Sequence, residues 1–391
     1  MSLKNLVYEG ITKDLGLGDQ FLWEEAVRGP VKFDGASNLL RAAEMGLRQT
    51  VQKYLKGLGN LIPGSGMSIG EKSHTAYAGS IDNALYDVIN APTGQYTHGT
   101  LNPRFAIPAA TKAYHEAIDR VELCQFDRDK QDWFWFTVTG DFRGAAEAME
   151  EIVDGRSPRS PRLTITPNVE LTTKLDNHLW SLNTAPSTRK TKVIHPSEIS
   201  TVECDRRIGY GLLGESEKEK VDPKLRRIFD MGHVLHDIIQ RGIPYVNPSF
   251  QSEVRVRHRD LKIEGSCDGV LPEEKSGLEI KSMGSNGFRK LTRAKPEHIE
   301  QATIYGALLE LESVSYLYVC KDDGEISAFD VPVDRKLWHQ IATRAERILS
   351  HTERGELPAG IDKPSVCKSC KFSWTCKPEN TPIDKKRMFS R

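Results

Sequence analysis

The sequence predicts an α/β protein of the α+β kind, in which a mixed central sheet flanked by helices follows a mainly helical N-terminal domain. Helix-like and strand-like segments succeed one another between about residues 223 and 350 in the order helix, three strands, helix, strand, helix. A stretch rich in Pro, Ser and Arg between about residues 155 and 195 separates them from the N-terminal half. The 391 residues, 38% hydrophobic and 28% charged, suffice for two or three domains with sizeable cores.

The N-terminal half carries helical periodicity but no recognisable chemistry. In ASNLLRAAEMGLRQTVQKYLKGLG, apolar residues recur every three or four positions behind Ser37, which predicts a capped amphipathic helix. His74, His98 and His115 match no ligand pattern, and the loop NLIPGSGMSIG lacks the ending of a phosphate-binding loop. We also predict helices over TAYAGSIDNALYDVIN, AIPAATKAYHEAIDRV and FRGAAEAMEEIVDG, and a strand over DWFWFTVTG.

The stretch rich in Pro, Ser and Arg predicts a domain boundary. We place a domain of unknown role at 1–185, a second domain at 193–380 and a basic tail at 381–391. Between Gly155 and Lys192 there are seven basic and two acidic residues. This surplus suits either a phosphate backbone or a solvated linker. We expect a chain that begins near Lys192 to keep the core of the second domain.

The elements of the second domain follow from periodicity and composition. We predict helices over PKLRRIFDMGHVLHDIIQRG, PEHIEQATIYGALLEL and DRKLWHQIATRAERIL, and strands over FQSEVRVRHRD, LKIEGSCDGVL, SGLEIKSM and SVSYLYVC. In SGLEIKSM, Glu279 and Lys281 share one face of the strand, because side chains alternate. If Pro272–Lys275 forms the hairpin loop, Asp268 lies directly across from Glu279, whereas a slip of one residue turns Asp268 away.

Two carboxylates and a lysine on one face are suited to hydrolysis of phosphodiester bonds. Mg²⁺ prefers oxygen ligands and often binds one or two carboxylates together with substrate phosphate. Three short motifs occur in order: Gly232 with His236, Asp268 followed by Glu279 and Lys281, and Gln301 with Tyr305. Together they resemble the PD-(D/E)XK nuclease superfamily, and within it the RecB-like branch that carries an iron-sulfur cluster. The resemblance covers about residues 193–380.

The resemblance implies a role for each matching residue. The catalytic residues would be Asp268, Glu279 and Lys281, and the metal ligands for Mg²⁺ or Mn²⁺ would be His236, Asp268, Glu279 and the backbone carbonyl of Ile280. Lys281 would position the attacking water and stabilise negative charge at the phosphorus. Gln301 and Tyr305 would border the site and position DNA. His233 lies one helical turn from His236, but the spacing of the family favours His236 as the ligand.

Cysteines form the second group of candidate ligands. The chain has seven cysteines, an odd number, which argues against a framework of disulfide bonds. The candidates are Cys367, Cys370 and Cys376 in CKSCKFSWTC, with Cys204 far upstream. Four thiolates suit an iron-sulfur cluster or Zn²⁺. The divided pattern resembles AddB-like and CRISPR-adaptation exonucleases, which implies a [4Fe-4S] cluster, with Zn²⁺ as the lesser alternative. We predict that Cys124, Cys267 and Cys320 are small buried side chains.

Basic residues suggest two places for DNA. Arg206 and Arg207 follow Cys204 and either contact phosphate or pair with the neighbouring Glu203 and Asp205. Arg289 and Lys290 belong to a run from Lys281 to Lys295 that holds five basic residues and no acid. Such a run next to the candidate metal site suits a nucleic-acid track.

These features predict a metal-dependent DNA nuclease, an exonuclease that acts on single strands or DNA ends in recombination, repair or phage DNA metabolism. The alternative is a DNA-binding or assembly protein that keeps the fold without catalysis. No Walker-type motif occurs, so unwinding would need a separate helicase or recombination protein. No apolar run has the length of a membrane span, and we expect no membrane partner and a cytoplasmic location in a bacterial or phage-infected cell. Lys+Arg and Asp+Glu balance at 54 each, so net charge does not identify the partner.

Overall fold

Two large sheets lie on either side of a layer of helices. The computed structural model describes residues 2–15, 21–22, 34–64, 67–69, 73–75, 77–89, 101–127, 132–184, 192–215, 221–361, 363–368, 370–373 and 375–376. His98 and the predicted tail at 381–391 lie outside these residues. Within the described ranges, no helix is both long enough and apolar enough for a membrane crossing.

The helices account for more residues of the described N-terminal half than the strands do, as predicted. The helices are α1 (Leu3–Leu15), α2 (Gly35–Leu55), α3 (Pro103–His115), α4 (Phe142–Val153), α5 (Val169–Ser181), α6 (Pro196–Thr201), α7 (Asp205–Leu213), α8 (Pro223–Gly242), α9 (Ser285–Phe288), α10 (Pro296–Leu308), α11 (Arg335–Glu353) and α12 (Pro364–Cys367). Asp34, rather than the predicted Ser37, caps α2, because its carboxylate accepts the backbone N–H of Ser37 at 2.8 Å.

The strands form three sheets. They are β1 (Phe21–Leu22), β2 (Ile62–Pro63), β3 (Met67–Ile69), β4 (Ser73–Thr75), β5 (Gly79–Ile81), β6 (Ala84–Ile89), β7 (Arg120–Asp127), β8 (Asp132–Gly140), β9 (Leu163–Pro167), β10 (Gln251–His258), β11 (Ile263–Leu271), β12 (Ser276–Met283), β13 (Ser313–Cys320) and β14 (Ile326–Pro332). The C-terminal sheet has the order β10-β11-β12-β13-β14, the N-terminal sheet β2-β5-β6-β7-β8-β9, and a small sheet β1-β4-β3. The C-terminal half is thus a mixed sheet flanked by helices, as predicted.

The two large sheets share one pattern of connections. In the C-terminal sheet, the hairpin β11–β12 leads through α10 to β13, which is parallel to β12, and then to the antiparallel β14. In the N-terminal sheet, the hairpin β5–β6 leads through α3 to β7, which is parallel to β6, and then to the antiparallel β8. An outer strand precedes each hairpin, β10 on β11 and β2 on β5.

The helix predicted over TAYAGSIDNALYDVIN is wrong, because this segment forms the hairpin β5–β6. Asp82 and Asn83 make its two-residue turn between the paired Ile81 and Ala84, with φ angles of 47° and 59°. Asp and Asn tolerate such positive φ angles better than most residues, and this turn type suits a tight hairpin. The segment also pairs along β7, so tertiary contacts decide its structure.

One of the apolar core clusters joins the two halves of the chain, and each half also has core clusters of its own. A single cluster of buried side chains contains Leu47 of α2, Leu235 of α8, and Ile280 of β12, together with residues of β6 and β8. Helices α1, α2 and α5 pack against α8, and this layer contacts both large sheets. At Gly10 a Cβ would lie 2.4 Å from the carbonyl oxygen of Gly242, so glycine permits the close approach of α1 and α8. The division into domains stays a prediction, and the shared cluster links the two predicted domains.

Candidate active site

The hairpin β11–β12 brings the predicted acidic residues together. Leu271 pairs with Ser276, so the loop consists of the four residues Pro272–Lys275, as predicted, and the N–H of Lys275 donates to the carbonyl oxygen of Pro272 at 3.1 Å. The ladder runs to the pair Gly269 and Leu278. The next opposed position places Asp268 across from Glu279.

Asp268 is fixed from three sides. Its Oδ2 accepts the backbone N–H of Ile280 at 2.7 Å and lies 3.5 Å from Nδ1 of His236. Its carbonyl oxygen accepts from Nε2 of Gln240 at 2.8 Å. Gln240 lies one helical turn after His236 on α8, and sequence reasoning missed it. Its spacing of four from His236 was the available signal.

One carboxylate oxygen of Glu279 accepts hydrogen bonds from the described residues and the other does not. Its Oε1 accepts from Nζ of Lys281 at 2.5 Å and from Nε2 of Gln301 at 2.9 Å. Its Oε2 is buried and has no hydrogen-bond partner in the described structure. Gln301 also donates to the phenolic oxygen of Tyr305 at 3.0 Å. Gln301 therefore holds Oε1 in place from α10 while Oε2 stays available.

Burial and like charge make this pair of carboxyl groups electrostatically costly. Burial, with the nearby charge of Asp268, raises the pKa of Glu279 to about 8, against the opposing effect of Lys281. Burial also raises the pKa of Asp268, which His236 opposes. Burial lowers the pKa of His236. A cation placed between the carboxylates would favour their ionised forms.

The predicted metal ligands are not assembled as a complete set. In the part of the chain that the structure describes, no group of three or more His, Cys, Asp or Glu side chains could hold a metal ion. Nδ1 of His236 lies 3.5 Å from Oδ2 of Asp268, and the carbonyl oxygen of Ile280 stays a predicted ligand. The two carboxylates nonetheless fit Mg²⁺ or Mn²⁺, because Glu279 presents an unpaired buried oxygen and Mg²⁺ often takes only one or two protein carboxylates.

The residues predicted to position DNA fall into two classes. Gln301 and Tyr305 are both only 4% exposed, so their effect on DNA would pass through Glu279 rather than through direct contact. Arg289 and Lys290 are exposed and make no ion pair among the described residues. They remain available for phosphate. His233 faces away from the pair, in a cleft between α2 and α8.

Arg206 and Arg207 do not pair with the neighbouring acids. Glu203 pairs with Lys363 at 2.7 Å, and Asp205 pairs with Arg344 at 2.8 Å. Nε of Arg206 donates to a backbone carbonyl, that of Pro358, at 2.8 Å. The solvated pairing that the sequence allowed is therefore wrong.

The four candidate cysteines do not form a metal site among the described residues. Burial raises the pKa of the Cys370 thiol, and the charges of Cys204 and Cys376 add to the effect. The thiol of Cys367 instead faces the carbonyl oxygen of Ile361 at 3.6 Å. The four-thiolate set therefore stays a prediction. The prediction that Cys124, Cys267 and Cys320 are buried is confirmed.

No family model and no curated protein matches the sequence. Similar solved structures include SSO0001, with 19% identity and a TM-score of 0.34 over 54% of this chain and 98% of that chain. They also include an alkaline exonuclease (LHK-Exo) from Laribacter hongkongensis, with 14% identity and a TM-score of 0.35 over 46% of this chain and 93% of that chain. Its complex with dAMP gives 15% identity, the same TM-score and the same coverage. Scores this low carry no conclusion about this chain.

Proposed function

We propose that this chain is a metal-dependent nuclease that hydrolyses the phosphodiester bonds of DNA. The observation that carries the proposal is the pair formed by the partly buried Asp268 and the buried Glu279, with an unpaired carboxylate oxygen and Lys281 beside it. A buried pair of acids without a counter-charge of equal size is costly, and such arrangements concentrate at functional sites. The motifs that match the PD-(D/E)XK pattern support the same conclusion.

Each residue has a defined task in this proposal. Asp268 and Glu279 would hold Mg²⁺ or Mn²⁺, which supplies positive charge at the phosphate and activates water when bound. Lys281, held by Oε1 of Glu279, presents a fixed ammonium group toward the attacking water and the phosphate oxygens. Gln301 keeps Oε1 occupied, so that Oε2 faces the cation.

The finer proposal is an exonuclease that acts on single strands or DNA ends, in recombination, repair or phage DNA metabolism. The exposed Arg289 and Lys290 near the end of β12 would contact the strand backbone. A separate helicase or recombination protein would supply unwinding, and the chain would act in the cytoplasm. Incubating the full chain with end-labelled single- and double-stranded DNA tests the proposal. We expect cleavage with Mg²⁺ or Mn²⁺ and none with EDTA.

A non-catalytic DNA-binding or assembly protein is the second candidate. The incomplete set of metal ligands among the described residues is the observation that favours it. The same experiment separates the two functions, because DNA binding without cleavage under any metal condition would support the second candidate and contradict the first.

Lys281→Ala is expected to lower the single-turnover cleavage rate by about 10²- to 10⁴-fold, the usual contribution of a positioned proton-transfer group. Lys281→Arg should restore the rate only in part, because a planar guanidinium does not replace a compact ammonium. The matched control is Lys275→Ala, which removes an exposed lysine from the same hairpin and should leave the rate unchanged. If Lys281→Ala cleaved DNA at the wild-type rate, Lys281 would have no role in the reaction.

We also propose a structural [4Fe-4S] cluster at Cys204, Cys367, Cys370 and Cys376, with Zn²⁺ as the lesser alternative. The spacing of the cysteines in the sequence and the electrostatic influence of Cys204 and Cys376 on the pKa of Cys370 support it, and Cys367 would have to turn from its carbonyl partner. Protein purified without oxygen should contain about four irons per chain. Cys204→Ser should lose the iron and melt at a lower temperature, whereas Cys320→Ala should keep the iron. Protein with one zinc per chain and no iron would favour the Zn²⁺ alternative. Protein that contains neither metal would contradict both proposals.

A further inference from the structure

His298 lies beside the carboxylate pair on a platform of two tyrosine rings. Its imidazole stacks on Tyr316, with centroids 5.2 Å apart and planes 5° apart, and on Tyr318, with centroids 5.5 Å apart. In the parallel ladder of β12 and β13, Tyr316 is opposite Glu279 and Tyr318 is opposite Lys281. His298 therefore borders the site from α10, one helical turn before Gln301.

Tyr318 holds this histidine by a hydrogen bond at Nδ1. The phenolic oxygen of Tyr318 accepts the backbone N–H of Lys295 at 3.1 Å and lies 2.6 Å from Nδ1 of His298. When the Tyr318 hydroxyl donates to Nδ1, the imidazole hydrogen lies on Nε2. Burial and the charge of Lys281 lower the pKa of His298 to about 4, so the ring is neutral at pH 7. Nε2 of His298 does not belong to the buried side-chain atoms that lack a hydrogen-bond partner.

We propose that His298 contacts substrate and donates its Nε2 hydrogen to a phosphate oxygen of the DNA strand next to Lys281. The proposal rests on the nuclease function argued above. Tyr318 is a positioning residue, because it holds the imidazole by stacking and by the bond to Nδ1. Lys295 and the exposed basic residues before it carry the neighbouring phosphates.

Single-turnover cleavage by His298 variants tests this role, at saturating and at limiting DNA. His298→Ala should lower the rate at limiting DNA by about tenfold, the effect of one hydrogen bond to a charged group. His298→Gln should recover most of the loss because its amide hydrogens reach the place of Nε2, whereas His298→Asn, which reaches only the place of Nδ1, should not. Tyr318→Phe should slow the wild type but should not slow His298→Ala further.

The outcomes separate this inference from the proposed function. If the wild-type chain cleaves and folded His298→Ala cleaves equally well, or if Asn restores the rate as well as Gln, the role of His298 is overturned and the nuclease proposal stands. A wild-type chain that cleaves nothing with Mg²⁺ or Mn²⁺ overturns the nuclease proposal itself.

A second inference comes independently from the shared pattern of the two sheets. Asp87 is the fourth residue of β6 and pairs with Leu123, the fourth residue of β7. Glu279 is likewise the fourth residue of β12 and pairs with Tyr316, the fourth residue of β13. The crossover helices α3 and α10 both have 13 residues, begin with Pro, and end five positions before the next strand starts. Asp87 thus occupies the position of Glu279 in the N-terminal sheet.

The surroundings of Asp87 differ from those of Glu279 in charge. Asp87 is 1% exposed, with Oδ2 2.8 Å from Nζ of Lys112 on α3 and Oδ1 2.9 Å from Nε of Arg48 on α2. Continuing the β5–β6 ladder places Ala78 across from it, where Asp268 stands in the other sheet. Ile89 follows two residues later, where Lys281 stands.

We infer that the N-terminal half is a second copy of the same structural unit, in which Lys112 and Arg48 supply the positive charge in place of a metal ion. Asp87 and the buried Glu44 are balanced by Lys112 and Arg48, because Glu44 also pairs with Arg48 at 3.1 Å, and such a neutral group attracts no divalent ion. No carboxylate stands at the ladder position that Asp268 has in the other sheet. The chain then has one hydrolytic centre, in its C-terminal half.

Asp87→Asn tests this assignment. It should lower the melting temperature by several degrees, because it takes the charge of Asp87 away from the buried Lys112 and leaves Arg48 with Glu44 alone of its two acidic partners, yet folded protein should bind Mn²⁺ and cleave DNA as the wild type does. Asp87→Leu combined with Lys112→Met removes both charges and should fold if the single variant does not. A folded variant of either kind that binds fewer Mn²⁺ ions per chain, or that has lost cleavage, would show a working metal centre in the N-terminal half and overturn the inference.

Discussion

Asp268→Asn is expected to lower the rate of DNA cleavage with Mg²⁺ or Mn²⁺ by about 10³-fold or more. DNA binding should stay largely intact. The variant removes one of the two carboxylates that would hold the cation, and a bound cation contributes several kcal/mol to stabilisation of the transition state. Binding should persist because phosphate contacts come mainly from separate basic groups, such as Arg289 and Lys290. Single-turnover cleavage and a binding titration on the same DNA check both parts.

The fold of the variant should not suffer. Asparagine keeps an oxygen that can accept the N–H of Ile280, and one of two buried like charges disappears. Glu273→Gln is the matched control, since Glu273 is exposed in the loop of the same hairpin and its loss should change neither cleavage nor binding. Cleavage by Asp268→Asn at the wild-type rate would show that the acidic pair is not the hydrolytic centre.

The hairpin at the centre of this site could be predicted from local sequence. Pro272–Lys275 are polar or turn-forming, and the apolar runs on either side allow few other loop lengths, so the register of Asp268 and Glu279 follows. The bounds of β12 and β13 are also those that the sequence predicts, because apolar strands of this length end at charged or glycine-containing turns.

Other contacts of the site depend on residues that are distant in sequence. Gln240 reaches the backbone of Asp268 from α8, and His298 stacks on tyrosines of β13, a strand that follows it in the chain. Neither side chain belongs to a motif; helical spacing places Gln240 on the same face as His236, but the contact of each with the site depends on the tertiary structure. For the cysteines, the spacing in the sequence identifies four possible ligands. It does not show whether the side chain of Cys367 turns toward the other three.

A chain that begins at Lys192 is expected to lose its cooperative fold. Removing the N-terminal half takes α1, α2 and α5 away from α8, whose Met231, Leu235, Ile238 and Ile239 are each at most 1% exposed in the whole chain and belong to the cluster that spans both halves. At roughly 1.5 to 3 kcal/mol for each side chain, the loss is of the order of 10 kcal/mol, which is comparable with the whole stability of a typical domain. Arg227 would also lose its partners Asp132 and Asp176 and become an unpaired cation.

Circular dichroism melting of the shortened chain, alone and mixed with a separate chain of residues 1–191, measures this dependence. The shortened chain alone should be insoluble or should melt without a sharp transition, and the mixture should regain part of the transition because the two pieces rebuild the helix layer between the sheets. The matched control is the chain shortened only to residue 376, which keeps every described residue. If the chain from Lys192 melted cooperatively near the wild-type temperature and cleaved DNA, α8 would not need α1 and α2, and residues 193–380 would be an independent domain after all.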